Sequence, residues 1–382
     1  MKKVLFLVPS LGMGGMERVL VNYSNLFVKR GYDVTVLNFT YDDLGIVQHF
    51  DSRVHYVKNY SPVKNIFRAS FKDIIHFNFR LLPWKQWLKF HSSVFLHKKY
   101  IREQYDIEIA FFGMASLKIV CGADTSLTNA VGWLHSVDVE DDIAPSGGYE
   151  KAKKIYNGVP KLICVSERSM QKVKEVFGRE KNLYVINNPN NTEQIRRMAK
   201  DNVAIKKTAF TFAMVARFVD LHKGFFRLLD VCKKLNEEGF DYTLWLVGDG
   251  IDYDAVKDRA QELRLNNVSF LGKQDNPYPF IDKADMYLCS SYYEGFSMVM
   301  MEAVILGKPM LTTDVSGADE MLDNGKFGMI VENSEEGLYN GMKKILTNPE
   351  LYQHYCKMAE ERKDYLNEEK IMDQVEKIIK EK

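Results

Sequence analysis

What this chain of 382 residues lacks narrows it first. No stretch approaches the roughly 18 uncharged apolar residues of a membrane-spanning helix, so the expectation is a cytoplasmic protein, or one peripheral on the inner face of the plasma membrane. The apolar run behind the basic start Met1-Lys2-Lys3 stops at Pro9, too short for a signal-peptide core, and reads as a first strand. There is no Cys-x-x-Cys pair. Cys121, Cys164, Cys232, Cys289 and Cys356 are far apart and odd in number, which fits buried thiols in a reducing compartment rather than a disulfide framework. Nor is there an excess of either charge. With 52 basic and 51 acidic side chains the net charge is +1, so nothing global draws the chain to nucleic acid, and an anionic partner needs a local patch.

What is present is a globular α/β pattern. The length exceeds one ordinary core, and an apolar content of 46% with balanced charge predicts two α/β domains. Residues 4–8 form a continuous apolar run that ends in Gly12-Met13-Gly14-Gly15. A helix over 16–30 follows, closed by Gly31, and a strand at 34–37 begins after the short connection of a βαβ unit. Further strands are expected at 107–112, 129–133, 162–165 and 183–186, making one parallel sheet. After Asn187-Asn188-Pro189-Asn190 the rhythm restarts with strands at 210–215, 243–247, 268–271, 286–289, 309–312 and 328–330. These alternations predict a second doubly wound parallel sheet with crossover helices, so the domains are placed at 1–195 and 205–364. The tail from Leu351 is charged and helical, without repeats or low-complexity runs.

Ligands of doubly wound sheets bind at the carboxyl ends of the strands, so the residues just after each strand carry the information. Gly12-Met13-Gly14-Gly15 is either a plain tight turn or a phosphate cradle, and its strand-loop-helix setting favours the cradle. A nicotinamide fingerprint needs a third glycine where this chain has Glu17, and the second strand ends in Asn38-Phe39 without a ribose-binding acid. In the second half, Arg217 follows a strand and Lys223-Gly224 opens the next helix; two cations so placed suit a diphosphate. Gly248-Asp249-Gly250 and Gly272 also follow strands, as phosphate-facing loops or as plain turns. The richest segment runs from Ser290 to Glu302. A helix is expected to start within Gly295, Phe296, Ser297, Met298 and Val299, leaving free amides for an anion, with Glu294 before it and Glu302 inside it among Val299, Ala303 and Leu306. A carboxylate on so apolar a helix needs hydrogen bonds from a ligand, such as a ribose diol, or from a neighbouring chain group. Asp252-Tyr253-Asp254 could suggest a metal-dependent transferase, but it opens a helix, where acids suit the dipole.

These residues resemble the family 4 glycosyltransferases of GT-B fold, which retain anomeric configuration. The Glu-x7-Glu pattern stands as Glu294 and Glu302. The resemblance covers nearly the whole chain through Gly12 to Arg18, Trp133-Leu134-His135, Val165-Ser166-Glu167, Asn188-Pro189, Arg217 with Lys223-Gly224, Gly248-Asp249-Gly250 and Gly307-Lys308-Pro309. One departure is Ser297-Met298, where the family often has Gly-Leu or Gly-Ile. The resemblance implies two Rossmann-like domains facing across a cleft, an acceptor-side N-terminal one and a donor-binding C-terminal one, with a last helix, about 365–382, packing back on the first. It implies that Arg217 and Lys223 hold the donor diphosphate, that Glu294 contacts the transferred sugar and that Glu302 binds the ribose. The amides of Phe296 to Val299 and of Gly14 and Gly15 would line the phosphates, and His135 would sit near the reacting sugar. Without the family, His135 reads as a hydrogen-bonded structural histidine. No cofactor and no metal are required, because cations and amides can stabilise the departing diphosphate.

Lys64, Arg68, Lys72, Arg80, Lys85, Lys89, Lys98, Lys99 and Arg102 are interleaved with Phe67, Phe71, Phe77, Phe79, Trp84, Trp87, Phe90 and Phe95. Cations beside aromatics suit an anionic membrane surface and a polyprenyl-linked acceptor; the alternative is a helical hairpin packing its rings internally. The expected function is transfer of a hexose or N-acetylhexosamine from a nucleoside-diphosphate sugar, UDP first, to a lipid-linked or polysaccharide acceptor. The alternatives are a nucleotide-sugar 2-epimerase of similar fold and a non-catalytic partner subunit.

Overall fold

The computed structural model describes residues 1–12, 14–39, 45–58, 91–365 and 367–381. The chain divides into two compact units: Met1–Pro189 with Glu369–Lys382, and Asn190–Glu368.

In the first unit the described strands are β1 (Lys3–Val8), β2 (Asp33–Asn38), β3 (His55–Lys58), β4 (Ile107–Ala110), β5 (Asn129–Leu134), β6 (Lys161–Cys164) and β7 (Leu183–Val185). They lie in the order β3-β2-β1-β4-β5-β6-β7, and every pairing is parallel. Val4 pairs with Val34 on one side and Ile107 on the other, which is why residues 4–8 read as an unbroken apolar run: the strand is covered on both faces. The helix Gly15–Lys29 turns Val19, Leu20, Tyr23 and Phe27 onto the sheet, and Phe27 meets Phe6 edge-on at 5.4 Å. β3 has no counterpart in the sequence reading. It is a short edge strand whose residues are all at least partly exposed, so its pattern carries no apolar signal.

The last helix, Glu368–Lys380, belongs to this unit. It buries Ile371, Met372, Val375, Ile378 and Ile379. Arg30 binds Asp373 at 2.8 Å, Asn129 donates to the Ile379 carbonyl at 2.7 Å, and the buried Lys161 ammonium donates to the Ile378 carbonyl at 2.7 Å. Lys161 thereby satisfies a carbonyl at a helix C-terminus, where a cation also suits the dipole.

The second unit contains β8 (Phe210–Val215), β9 (Tyr242–Val247), β10 (Val268–Phe270), β11 (Met286–Cys289), β12 (Met310–Thr313) and β13 (Met329–Val331). Their order is β10-β9-β8-β11-β12-β13, again all parallel. Phe212, Met214, Leu244, Leu246, Leu288 and Leu311 form the sheet's share of the core, covered by Leu228, Val231 and Leu235 of the helix Phe225–Glu237. In both sheets the order reverses beside the first strand, between β1 and β4 and between β8 and β11. Such switch points open the crevice in which these sheets bind ligands.

Of the basic and aromatic stretch, residues 59–90 lie outside the described residues, and with them Lys64 to Lys89 and Phe67 to Phe90. Its end is the helix Ser93–Tyr100, capped by the Ser92 hydroxyl, with Leu96 buried and Phe95, Lys98, Lys99 and the following Arg102 exposed. Among the described residues no helix is long and apolar enough to cross a membrane.

Candidate functional site

The second unit gathers its candidates at the switch point. Arg217 leaves β8 exposed at its mouth, and Lys223 ends the short helix Asp220–Lys223 that follows. On the other side of the switch, β11 runs into Ser290, Ser291 and Glu294. The Lys223 ammonium stands 2.6 Å from Glu294 Oε1, and the Ser291 hydroxyl donates to the same oxygen at 2.7 Å. One carboxylate oxygen thus accepts an ammonium and a hydroxyl in a partly buried setting, where a charge-assisted bond is stronger than on open surface. Thr313, at the end of β12, donates to the Ser291 carbonyl at 2.6 Å, and Asn333, beyond β13, donates to the Tyr292 carbonyl at 2.9 Å. Three strand ends therefore hold the loop that carries Glu294.

The helix after this loop begins at Met298, not at Gly295. Ser297 is its extended N-cap, and Phe296 is buried: a Cβ at Gly317 would lie 2.6 Å from its ring. Packing that ring into the core keeps residues 294–297 out of the helix, so the free first-turn amides begin with Met298 and Val299. Glu302, 1% exposed, accepts from the Tyr278 hydroxyl at 3.3 Å. A neighbouring chain group therefore does meet this carboxylate, as an apolar helix requires.

Gly248 and Gly272 differ in what they ask of the backbone. Gly248 has φ +137°, and a Cβ there would fall 1.9 Å from the Ala216 carbonyl oxygen, so only glycine fits. Gly272, at φ +65°, faces open space, although the two residues are joined by the Gly248 amide donating to the Gly272 carbonyl at 2.9 Å. Asp252 Oδ2 accepts from the Asp220 amide at 2.8 Å and precedes the helix Tyr253–Glu262, which gives the Asp-x-Asp string a structural use.

The first unit holds Gly14, Gly15 and His135. Gly14 is the extended N-cap of the helix Gly15–Lys29, and Glu17 Oε1 accepts from the Gly12 amide at 3.1 Å. One loop amide is thus taken by the chain's own carboxylate. His135 follows β5, with its ring 4.5 Å from Phe111 and stacked parallel to Trp133. Neither ring nitrogen reaches solvent or a partner in hydrogen-bond geometry among the described residues. Burial pushes the imidazole down to about 3, against a smaller upward pull from the nearby Phe111 backbone. A buried, unmatched polar ring costs about 1–3 kcal/mol, and such groups mark places where a ligand or water completes the bonding.

Ser291, Thr313, Asn333 and Tyr278 were not singled out from the sequence. Ser291 had a signal, since it directly follows a strand next to a recognised segment. Thr313 and Asn333 act through backbone carbonyls of another loop, a relation that only the strand order reveals.

Comparison with known proteins decides the class. A model of glycosyl transferases group 1 matches residues 195–362, and one of glycosyltransferase family 4 matches residues 13–194. The chain is a family 4, group 1 glycosyltransferase. It is 24% identical over 361 residues, 92% of either chain, to an uncharacterized glycosyltransferase of Haemophilus influenzae. It is 28% identical over 190 residues to the N-acetylgalactosamine-N,N'-diacetylbacillosaminyl-diphospho-undecaprenol 4-alpha-N-acetylgalactosaminyltransferase of Campylobacter jejuni, an alignment covering 49% of this chain and 50% of that one. The solved structure of a mutant of S. aureus TarM, in complex with fondaparinux, alpha-GlcNAc-glycerol and UDP, shares the fold of this glycosyltransferase, with a TM-score of 0.75, 15% identity and full coverage of both chains. The two parallel-sheet units are those of the GT-B class.

Proposed function

We propose that this glycosyltransferase moves a hexose or N-acetylhexosamine, with retention of anomeric configuration, from a UDP-sugar to a lipid-linked or polysaccharide acceptor in cell-surface glycan synthesis. The observation that carries the reading is the Lys223 ammonium 2.6 Å from Glu294 at the β8–β11 switch point, with Arg217 at the mouth of the same crevice. A diphosphate that reaches the ammonium brings its sugar to the carboxylate. When the anomeric bond breaks, negative charge collects on the departing diphosphate. Arg217, Lys223 and the amides opening the helix Met298–Ile305 stabilise it, with no metal in the scheme. Glu294 contacts the transferred sugar and Glu302 takes the ribose diol, with Tyr278 orienting its carboxylate. In the first unit, Gly14, Gly15 and the neutral His135 are that unit's own candidate ligand contacts, amides for an anion and a ring nitrogen for a hydroxyl.

UDP is favoured because UDP is bound in the S. aureus protein of the same fold, and a lipid-linked acceptor because the C. jejuni relative is named for a diphospho-undecaprenol substrate. The acceptor's lipid and the anionic membrane surface are assigned to residues 64–102 on sequence pattern, which makes the protein peripheral on the cytoplasmic face. Calorimetry with UDP-, GDP- and ADP-sugars tests the reading. A UDP-sugar should bind wild type and fail to bind Arg217→Ala and Glu302→Ala, and an unchanged response in both variants would overturn the donor site.

A further inference from the structure

Arg227 lies three residues into the helix Phe225–Glu237 and is 6% exposed. A cation there opposes the helix dipole, and its burial adds desolvation. A guanidinium buried in that place must be offset by the groups it binds. Its Nε donates to the Ser290 carbonyl at 3.1 Å, and its Nη2 to the Ser290 and Ser291 carbonyls at 2.5 and 2.9 Å. Its plane lies over the Tyr292 ring, 3.7 Å from the centroid. The Ser290 hydroxyl donates back to the Lys223 carbonyl at 2.8 Å, and the Tyr292 amide to the His222 carbonyl at 2.8 Å. Three consecutive residues after β11 are therefore sewn to the segment that carries Lys223, and the guanidinium is the rigid piece at the seam.

We propose that Arg227 is a positioning residue for sugar transfer: by gripping the Ser290 and Ser291 carbonyls against the Tyr292 ring, it fixes the Ser291 hydroxyl and the Lys223 ammonium on Glu294 Oε1. It touches neither donor nor acceptor. The inference rests on the reading of Glu294 and Lys223 as the groups that meet the donor. Lysine cannot replace it, because an ammonium is a point charge without a planar fork to span two carbonyls or stack on a ring.

The test follows UDP release to water from whichever of UDP-glucose, UDP-galactose, UDP-N-acetylglucosamine and UDP-N-acetylgalactosamine wild type hydrolyses fastest, with UDP alone as the binding probe. In Arg227→Lys, kcat should fall about 100-fold, the effect of misplacing a reacting group by about 1 Å, while the Kd for UDP stays within about 2-fold. Ser291→Ala, which leaves the guanidinium in place and cuts the relay one step later, should lower kcat in the same sense. The double variant should be no slower than Arg227→Lys, because both changes disturb one carboxylate. A merely structural arginine would weaken UDP binding and turnover together, and the two losses would multiply; that result overturns the proposal. Glu294→Gln separates the two readings. If it retains wild-type turnover, the donor-site reading fails; if it is inactive while Arg227→Lys keeps wild-type kcat, the positioning role alone fails.

Discussion

The strand ends of the two units are chemical opposites. In the second unit the crevice is charged and partly open: an ammonium, a carboxylate and a hydroxyl meet within 2.7 Å, and neighbouring strand ends supply the hydrogen bonds that hold the loop. In the first unit the corresponding region around β4 and β5 is dry and neutral. His135 stands among Phe111 and Trp133 with its nitrogens unmatched, and the Trp133 indole nitrogen is also buried without a partner among the described residues. The contrast teaches that one fold can offer two kinds of strand end, suited to different ligand chemistry. A diphosphate needs fixed countercharge, whereas a sugar hydroxyl needs only an undercommitted donor or acceptor beside an apolar wall.

The largest expected effect tests the charged side. Glu294→Gln should lower turnover about 100- to 1,000-fold, read as initial rates of UDP release, and a variant within a factor of about three of wild type would erase the distinction between the two crevices. The next bears on how rigidly the charged side is built. Gly248→Ala should destabilise by about 3 kcal/mol through strain and collision with the Ala216 carbonyl, against about 1 kcal/mol for Gly272→Ala, which meets only the left-handed backbone penalty. Chemical denaturation of both variants checks the ranking, and equal losses would mean that Gly248 is not pinned.

The dry side is read through pH. The His135 imidazole is held at about 3 by burial, below the ordinary value near 6.5, so between those values the unfolded chain binds a proton that the folded chain refuses. Stability should therefore be fully present above about pH 6.5 and fall as the solution is acidified, by about 2 kcal/mol at pH 5. His135→Gln should remove that part of the slope in denaturation curves at pH 5 and 8, and an unchanged slope would place the ring in contact with solvent. The smallest effect concerns the segment leaving the first unit. The Tyr23 hydroxyl donates to the Asn187 carbonyl at 3.1 Å, so Tyr23→Phe should lose about 1 kcal/mol, measured the same way.

Much of this was legible in the sequence because buried parallel strands write themselves as apolar runs. The twelve expected strands all recur within a few residues of the observed ones, and Arg217, Lys223 and Glu294 do flank one switch point. The edge strand β3 was silent, since His55 to Lys58 never leaves solvent entirely. The start of the helix after Glu294 was placed three residues early, because nothing local announces that Phe296 will turn inward against Gly317. Arg227 was invisible for a related reason: an arginine on an amphipathic helix reads as surface until a loop more than sixty residues away closes over it.

The helix Glu368–Lys380 makes the first unit's wholeness depend on the order of manufacture. The sheet β1 to β7 leaves the ribosome early, yet the side chains that await this helix, Asn129, Lys161 and the apolar surface beneath Ile371 and Ile378, cannot be matched until Asn190–Glu368 has been synthesised. At roughly 5–20 residues per second that is an interval of about 10–40 s in which the nascent first unit carries an open seam while the second, contiguous in sequence, can close on its own. Loss of Glu368–Lys380 would therefore injure the half of the protein that was made first.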